Sequence, residues 1–163
     1  MYYKIVYYSF FILFVINILS FIRSNSIGVF SEHEDMQRRD LFILKVASLL
    51  TIIVALSSSA YADHGIISVM LIALIMQLCA FLLFWYSAYS IKNVKFTIVF
   101  SNDKPEQLFT DGPYHFIRNP FYTSYILSYL SAFIFSLNPI NIPFIALIYF
   151  VYIKAIKQEE KKF

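Results

Sequence analysis

The sequence predicts an all-α protein, a polytopic membrane helical bundle with about five transmembrane helices that ends in a helical hairpin. Composition is the first reason, because 60% of the 163 residues are hydrophobic and only 14% are charged. A soluble domain has roughly 45–50% apolar residues and about 25% charged residues. Long apolar runs are the second reason, and the placement of Lys and Arg between them is the third. The length fits a single membrane domain over residues 1–163.

The predicted spans, in chain order, are Tyr2–Ile22, Leu41–Ala62, Ile66–Ser90, Phe121–Leu137 and Ile140–Ile156. The first is too long for a signal peptide and no small-residue cleavage site follows it, so we interpret it as a retained span. The third carries Ala73, Gln77 and Ala80 on one helix face, which favours close helix packing. The segment Asn138–Pro143 has two prolines and two asparagines, so the last two spans form a hairpin.

Basic residues predict the orientation of these spans. The segments 23–40, 91–120 and 154–163 all contain Lys or Arg, whereas the turns at 57–65 and 138–143 contain none. The positive-inside rule therefore places the N-terminus outside and the C-terminus in the cytoplasm. This corresponds to the cytoplasmic membrane of a bacterium, or the endoplasmic reticulum of a eukaryote. The net charge of +3 is too small and dispersed to indicate nucleic acid.

The segment Asp111–Tyr122 is the polar stretch in which we expect the chemistry. Gly112 allows the backbone to approach a ligand closely. Asn119 is a favoured N-cap and Pro120 a favoured first helical residue, so the fourth helix is expected to begin at about Phe121. Its positive dipole end lies beside Arg118, and together they suit a carboxylate or a phosphate. A simple helix start with an arginine facing lipid headgroups is the alternative interpretation.

Tyrosines recur at helical spacing on the last two spans. They are Tyr122, Tyr125 and Tyr129 on the fourth span, and Tyr149 and Tyr152 on the fifth. Such stripes are most often packing surfaces. Their hydroxyl groups need partners when buried, and two facing stripes would line a slot that opens toward Arg118 and Glu159.

Other titratable groups are scattered. Glu159 and Glu160 follow the fifth span, and adjacent helical residues point in different directions, so at most one of them is expected to enter a pocket. His115 lies within the chemical segment. His33 lies among acidic residues, and we interpret this stretch as a solvated loop and not as a metal site. No known metal-ligand spacing is present, so no metal is predicted.

Three elements together resemble the superfamily of isoprenylcysteine carboxyl methyltransferases and phospholipid methyltransferases. They are Gly112-Pro113-Tyr114, then Arg118-Asn119-Pro120-Phe121-Tyr122 opening a membrane helix, then Glu159-Glu160 after the next helix. The resemblance covers roughly Ser90 to Glu160. It implies an integral membrane enzyme that transfers a methyl group from S-adenosylmethionine to a lipid or lipidated acceptor.

The resemblance also implies roles for individual residues. Catalytic roles fall to Arg118, Tyr122 and Glu160, where cofactor and acceptor meet. The cofactor-binding residues that it implies are Gly112, Pro113, Tyr114, His115, Asn119, Glu159 and Glu160. A carboxylate acceptor would require no general base. An amine acceptor would require one, for which His115 or a glutamate is the candidate.

Two features depart from the family pattern. Asn119 stands where the family usually has histidine, and the chain ends shortly after Glu160. Both favour a first alternative, a non-catalytic membrane scaffold or a lipid-binding relative. A second alternative is an NADPH-dependent membrane reductase, because sterol reductases have a similar helix start. The acceptor and the oligomeric state do not follow from the sequence.

Overall fold

The computed structural model describes residues 2–26, 38–61, 67–91 and 110–160. The helices in these ranges are α1 Tyr2–Ser26, α2 Arg38–Tyr61, α3 Ile67–Ser90, α4 Pro120–Ser136 and α5 Asn141–Glu160, with a short 3₁₀ helix at Gly112–His115. No strand occurs within the described ranges. The prediction of an all-α protein is therefore confirmed for this part of the chain. The loop around His33, most of the segment 91–120 and the last three residues lie outside the described residues.

Among the described residues, two helices are long and apolar enough to cross a membrane. These stretches are Lys4–Phe21 in α1 and Ile67–Ser90 in α3, and α2 contributes a shorter apolar stretch, Phe42–Ser57. The 17 residues of α4 extend about 26 Å, less than the roughly 30 Å of a bilayer core. Length and composition thus support two of the five predicted spans, and the remaining three stay predictions.

Consecutive helices run in opposite directions. The Phe21 ring near the end of α1 contacts Phe84 near the end of α3 at 4.9 Å and Tyr125 near the start of α4 at 4.5 Å, between ring centroids. Asp40 at the start of α2 pairs with Lys154 near the end of α5. Helices α1, α3 and α5 therefore end where α2 and α4 begin, and we call this the basic end of the bundle.

The turn between α4 and α5 forms the predicted hairpin. Leu137 closes α4 in a left-handed conformation with φ 45°, and its N–H donates to Phe133 O at 2.7 Å. Asn138 Oδ1 accepts a hydrogen bond from Ile140 N at 3.0 Å. Helix α5 begins at Asn141, one residue later than predicted, because this asparagine turn holds Ile140 outside the helix.

The buried centre of the bundle is a polar contact between α3 and α4. Gln77 Nε2 donates to Ser128 Oγ at 2.9 Å, and Ser131 Oγ donates to Gln77 Oε1. Asn17 Nδ2 of α1 donates to the Gln77 carbonyl at 3.1 Å. The predicted face of Ala73, Gln77 and Ala80 is fully buried. The prediction of close packing is confirmed, and small serines on α4 supply the opposing surface.

Candidate active site

Gly112 places the start of the chemical segment directly against α3. Its φ of 61° is left-handed, and a Cβ at this position would lie 2.1 Å from Ser90 Oγ and 2.9 Å from Ser90 Cβ. A side chain is therefore disfavoured both by the backbone conformation and by contact with the last residue of α3. The sequence predicted that glycine would let the backbone approach a ligand, and the close approach in the structure is to Ser90.

We expect Gly112→Ala to lower the free energy of unfolding by about 1–2 kcal/mol, the typical cost of a left-handed L-residue. Thermal unfolding in detergent would measure this loss. The double variant with Ser90→Gly removes the steric contact and keeps the backbone strain, so it should recover part of the loss. A Gly112→Ala protein as stable as the wild type would contradict this explanation.

Pro113 and Tyr114 anchor the same segment in the apolar interior. Pro113 is buried, and its carbonyl accepts hydrogen bonds from Phe116 N at 3.1 Å and Ile117 N at 2.9 Å. Tyr114 packs against the cluster formed by Phe84, Ile91 and Phe121. These contacts fix the 3₁₀ helix to the basic end of the bundle, immediately before α4 begins.

The residues after the 3₁₀ helix face outward. His115 and Arg118 are exposed, and the His115 ring meets Phe116 edge-on with 4.8 Å between centroids. Phe116 is 86% exposed, which is unusual for a phenylalanine. Two cationic or titratable side chains and an exposed ring thus occupy one short surface segment at the basic end.

Helix α4 begins at Pro120, and Asn119 occupies the N-cap position. The prediction of Asn119 as N-cap and Pro120 as first helical residue is confirmed, although the Asn119 side chain makes no cap hydrogen bond. The Asn119 carbonyl instead accepts from Thr123 N at 3.1 Å and Thr123 Oγ1 at 3.0 Å. The amide of Asn119 is therefore not committed to holding the helix start, while Pro120 supplies a preset φ.

Tyrosines of α4 and α5 meet one turn further into the bundle. The Tyr152 ring lies 5.5 Å from Tyr122 and 5.5 Å from Tyr125, and the latter two rings are 6.4 Å apart. We call Tyr122, Tyr125 and Tyr152 the tyrosine cluster. The rings contact each other directly, so the stripes pack together, the interpretation that the spacing favoured. Tyr149 does not join them, since it is 46% exposed.

The remaining tyrosine of the stripe reaches a different helix. Tyr129 donates from its hydroxyl group to Ser48 Oγ of α2 at 2.7 Å. Its ring packs with Ala47 and Ile148, and Tyr152 borders the same group. Helix α2 therefore covers one side of the tyrosine cluster, while Phe21 of α1 covers another.

The predicted acidic pair ends α5. The helix backbone continues through Glu160 at the basic end, seven and eight residues beyond Tyr152. The side chains of Glu159 and Glu160 lie outside the described part of the structure. The structure thus brings Gly112–His115, Arg118, Asn119 and Tyr122 together with the last turns of α5 at one end of the bundle.

The sequence did not predict that Ser90, Ser48 and Phe21 contribute contacts at the basic end of the bundle. No local pattern marks them, since each acts through a contact with a residue more than 20 positions away. The serines of α4 could have been found, because Ser124, Ser128 and Ser131 recur at helical spacing opposite the small-residue face of α3.

This arrangement suits the binding of a charged organic molecule at a membrane surface. A helix N-terminus with an adjacent arginine attracts carboxylate or phosphate groups. Carboxylates at the end of α5 would attract cations or hydroxyl groups. The tyrosine rings provide an apolar wall with polar edges.

Comparison with protein families identifies the family of this chain. A family model described as phospholipid methyltransferase matches residues 68–163, more than half of the chain. The match covers α3, α4, α5 and the segment between α3 and α4, and α1 and α2 lie outside it. Comparisons with curated proteins and with solved structures gave no significant match. The chain belongs to the phospholipid methyltransferase family.

Proposed function

We propose that this protein is an integral membrane methyltransferase that uses S-adenosylmethionine to methylate an amine or carboxylate carried by a lipid. Family membership supports methyl transfer to a lipid substrate. One observation carries the finer proposal. Arg118 and Asn119 immediately before α4 and Tyr122 in its first turn share the basic end with the 3₁₀ helix and with the last turns of α5.

The residues present fit this cofactor. Its methionine part carries a carboxylate, for which Arg118 and the α4 N-terminus are suited. Its ammonium and ribose hydroxyl groups suit carboxylates at positions 159 and 160. The amide of Asn119, which does not cap α4, can donate and accept hydrogen bonds. Gly112, Pro113, Tyr114 and His115 would complete this side of the cofactor site.

When bound, S-adenosylmethionine supplies a methyl group made electrophilic by the sulfonium. The protein's contribution is to align the acceptor and exclude water. Arg118 would hold the phosphate or carboxylate of the acceptor, and Tyr122 would border the reacting group from inside the bundle. An amine acceptor would lose its proton to His115 or to a glutamate, whereas a carboxylate acceptor, as in isoprenylcysteine carboxyl methyltransferases, would not need a base.

The orientation of the site follows from the positive-inside rule. Lys154 and Lys157 lie near the end of α5, and the basic segments of the sequence join helices at the same end. We therefore propose that the basic end, with the site, faces the cytoplasm. Large exposed apolar side chains on the outer faces of α1, α2 and α3 support contact with lipid.

Cofactor binding is the direct test of this proposal. Purified protein in detergent is expected to bind S-adenosylmethionine saturably, and membranes incubated with the radiolabelled cofactor should yield label in extracted lipid. Saturable binding of NADPH instead would support the reductase alternative. Binding of neither, with a folded protein, would support the scaffold alternative.

The helical register distinguishes the two glutamates. Position 159 follows Tyr152 by seven residues, which is close to two turns, whereas position 160 lies about 100° further round the helix. Position 159 therefore shares the side of α5 that carries Tyr152. We expect Glu159→Gln to lower methyl transfer by at least about tenfold, and Glu160→Gln to lower it less. Comparing kcat/KM for both variants would measure this, and the reverse order would place the site on the other side of α5.

A further inference from the structure

Phe116 has the most exposed of the large apolar side chains in the described part of the chain, although its backbone is fixed. Its N–H donates to the carbonyl of Pro113 at 3.1 Å, and Pro113 is itself buried. Tyr114, two residues before it, packs into the cluster around Phe84. The exposure of the Phe116 ring is therefore a property of an anchored segment, which holds the ring away from the bundle.

The position of this ring distinguishes it from the other exposed apolar side chains. Most of those lie along α1, α2 and α3, in the apolar stretches of these helices. Phe116 instead lies between the 3₁₀ helix and α4, directly after the exposed His115 and two residues before the exposed Arg118. Apolar area left in water is unfavourable. A partner that covers the ring must therefore combine an apolar layer with groups that suit polar and cationic neighbours.

Exposed tyrosines at the end of α3 extend the same surface. Tyr86 and Tyr89 are both exposed, and the Tyr86 ring lies 3.7 Å from the position that a Cβ on Gly112 would occupy. The end of α3 and the 3₁₀ helix are therefore neighbours at the basic end. Tyrosine is enriched where membrane meets water, because its ring is apolar and its tip is polar. An anionic membrane surface offers acyl chains to such rings and phosphates to the nearby guanidinium of Arg118.

We propose that Phe116 inserts into the boundary between headgroups and acyl chains and anchors the segment 112–118 to the membrane surface. Side chains held in this way reach about 5–10 Å into that boundary. The 3₁₀ helix and the start of α4 then lie at the level of the headgroups, so the candidate site opens toward lipid and not toward bulk water. This inference rests on the membrane location in the proposed function and does not depend on methyl transfer.

Tryptophan fluorescence would measure the depth of this position, because Trp85 is the single tryptophan of the chain. Trp85→Phe combined with Phe116→Trp moves the reporter to position 116. The full-length protein is reconstituted in vesicles of equal parts dioleoyl phosphatidylcholine and dioleoyl phosphatidylglycerol. The phosphatidylcholine carries bromine either near the headgroup or near the end of the acyl chain. We expect shallow bromine to quench the reporter at least about twofold more strongly than deep bromine.

Asp111→Trp in the same Trp85→Phe background is the matched control, because Asp111 is an exposed, charged position of the same segment. Its reporter should respond to aqueous acrylamide and at least about twofold less to brominated lipid than the reporter at position 116. Circular dichroism would check that each variant is folded.

The outcomes separate the anchor from the proposed function. A reporter at position 116 that responds to acrylamide alone lies in water, and one that responds to neither quencher is covered by protein. Either result, or quenching by deep bromine that equals that by shallow bromine, would overturn the proposal. Trp85 of the wild type is measured in the same vesicles. If brominated lipid fails to quench Trp85 as well, the membrane location itself is refuted, whereas quenching of Trp85 alone refutes only the anchor. No cofactor is present, so an absence of methyl transfer would leave the anchor standing.

Discussion

Arg118→Ala is expected to lower kcat/KM for lipid methylation at least tenfold, which corresponds to about 1.4 kcal/mol of transition-state stabilisation. Arg118 stands at the start of α4, where the helix dipole adds to its charge. An anionic group of the cofactor or acceptor would lose both its bidentate partner and its orientation. Transfer of label from S-adenosylmethionine to a lipid extract would measure the effect, with cofactor affinity determined separately.

Two companion variants define what Arg118 does. Arg118→Lys keeps the charge and loses the planar fork, so it should recover only part of the activity. Lys45→Ala removes an exposed cation from α2, outside the region that the family model matches, and should leave turnover unchanged. Full activity in Arg118→Ala would contradict the assignment of this residue to the site. A loss confined to cofactor affinity would assign Arg118 to the cofactor and not to the acceptor.

Gln77→Leu is expected to lower the free energy of unfolding by about 1–3 kcal/mol, because it leaves a buried polar group without its partner. The substitution removes the partner of the buried Ser128 hydroxyl group, which binds Gln77 Nε2 at 2.9 Å. Ser131 keeps a second acceptor, the Ser128 carbonyl at 2.7 Å. The loss should therefore come mainly from one unsatisfied hydroxyl group and the weakened α3–α4 contact. Unfolding by sodium dodecyl sulfate, followed by circular dichroism, would measure it.

The double variant Gln77→Leu with Ser128→Ala separates these contributions. Removing both polar partners leaves no buried group unsatisfied, so it should be more stable than Gln77→Leu alone. Thr51→Val is the matched control, because Thr51 is equally buried but its hydroxyl group donates within α2, to Ala47 O at 2.9 Å. A destabilisation by Thr51→Val as large as that by Gln77→Leu would show that interhelical bonding is not the cause.

Local sequence rules predicted the elements well. Apolar runs placed all five helices among the described residues, and the Pro and Asn residues after Leu137 located the hairpin turn. The small-residue face around Gln77 was predicted because helical spacing alone determines which residues share a face. These features depend on residues within one or two helical turns of each other, so they can be predicted from the sequence alone.

The candidate site was predicted less completely because its geometry depends on distant contacts. Asparagine is a residue type that often caps helices, yet the Asn119 side chain makes no cap hydrogen bond, since Pro120 and Thr123 already define the helix start. Tyr149 and Tyr152 are equivalent by spacing, and only the packing of α5 against α4 selects Tyr152. The ion pair between Asp40 and Lys154 joins helices that are far apart in sequence.

The covering of the tyrosine cluster by the first two helices bears on how this protein could be divided or recombined. A fragment restricted to residues 68–163 would retain the family's shared region but would lack Phe21 and the α2 surface around Ala47. Tyr125 would then lose its contact with Phe21, and Tyr152 would lose the cover of the group that contains Ala47. The first 67 residues therefore support the packing of the region that the family shares. A chimaera between relatives should keep α1 and α2 together with the α4 and α5 residues that they contact.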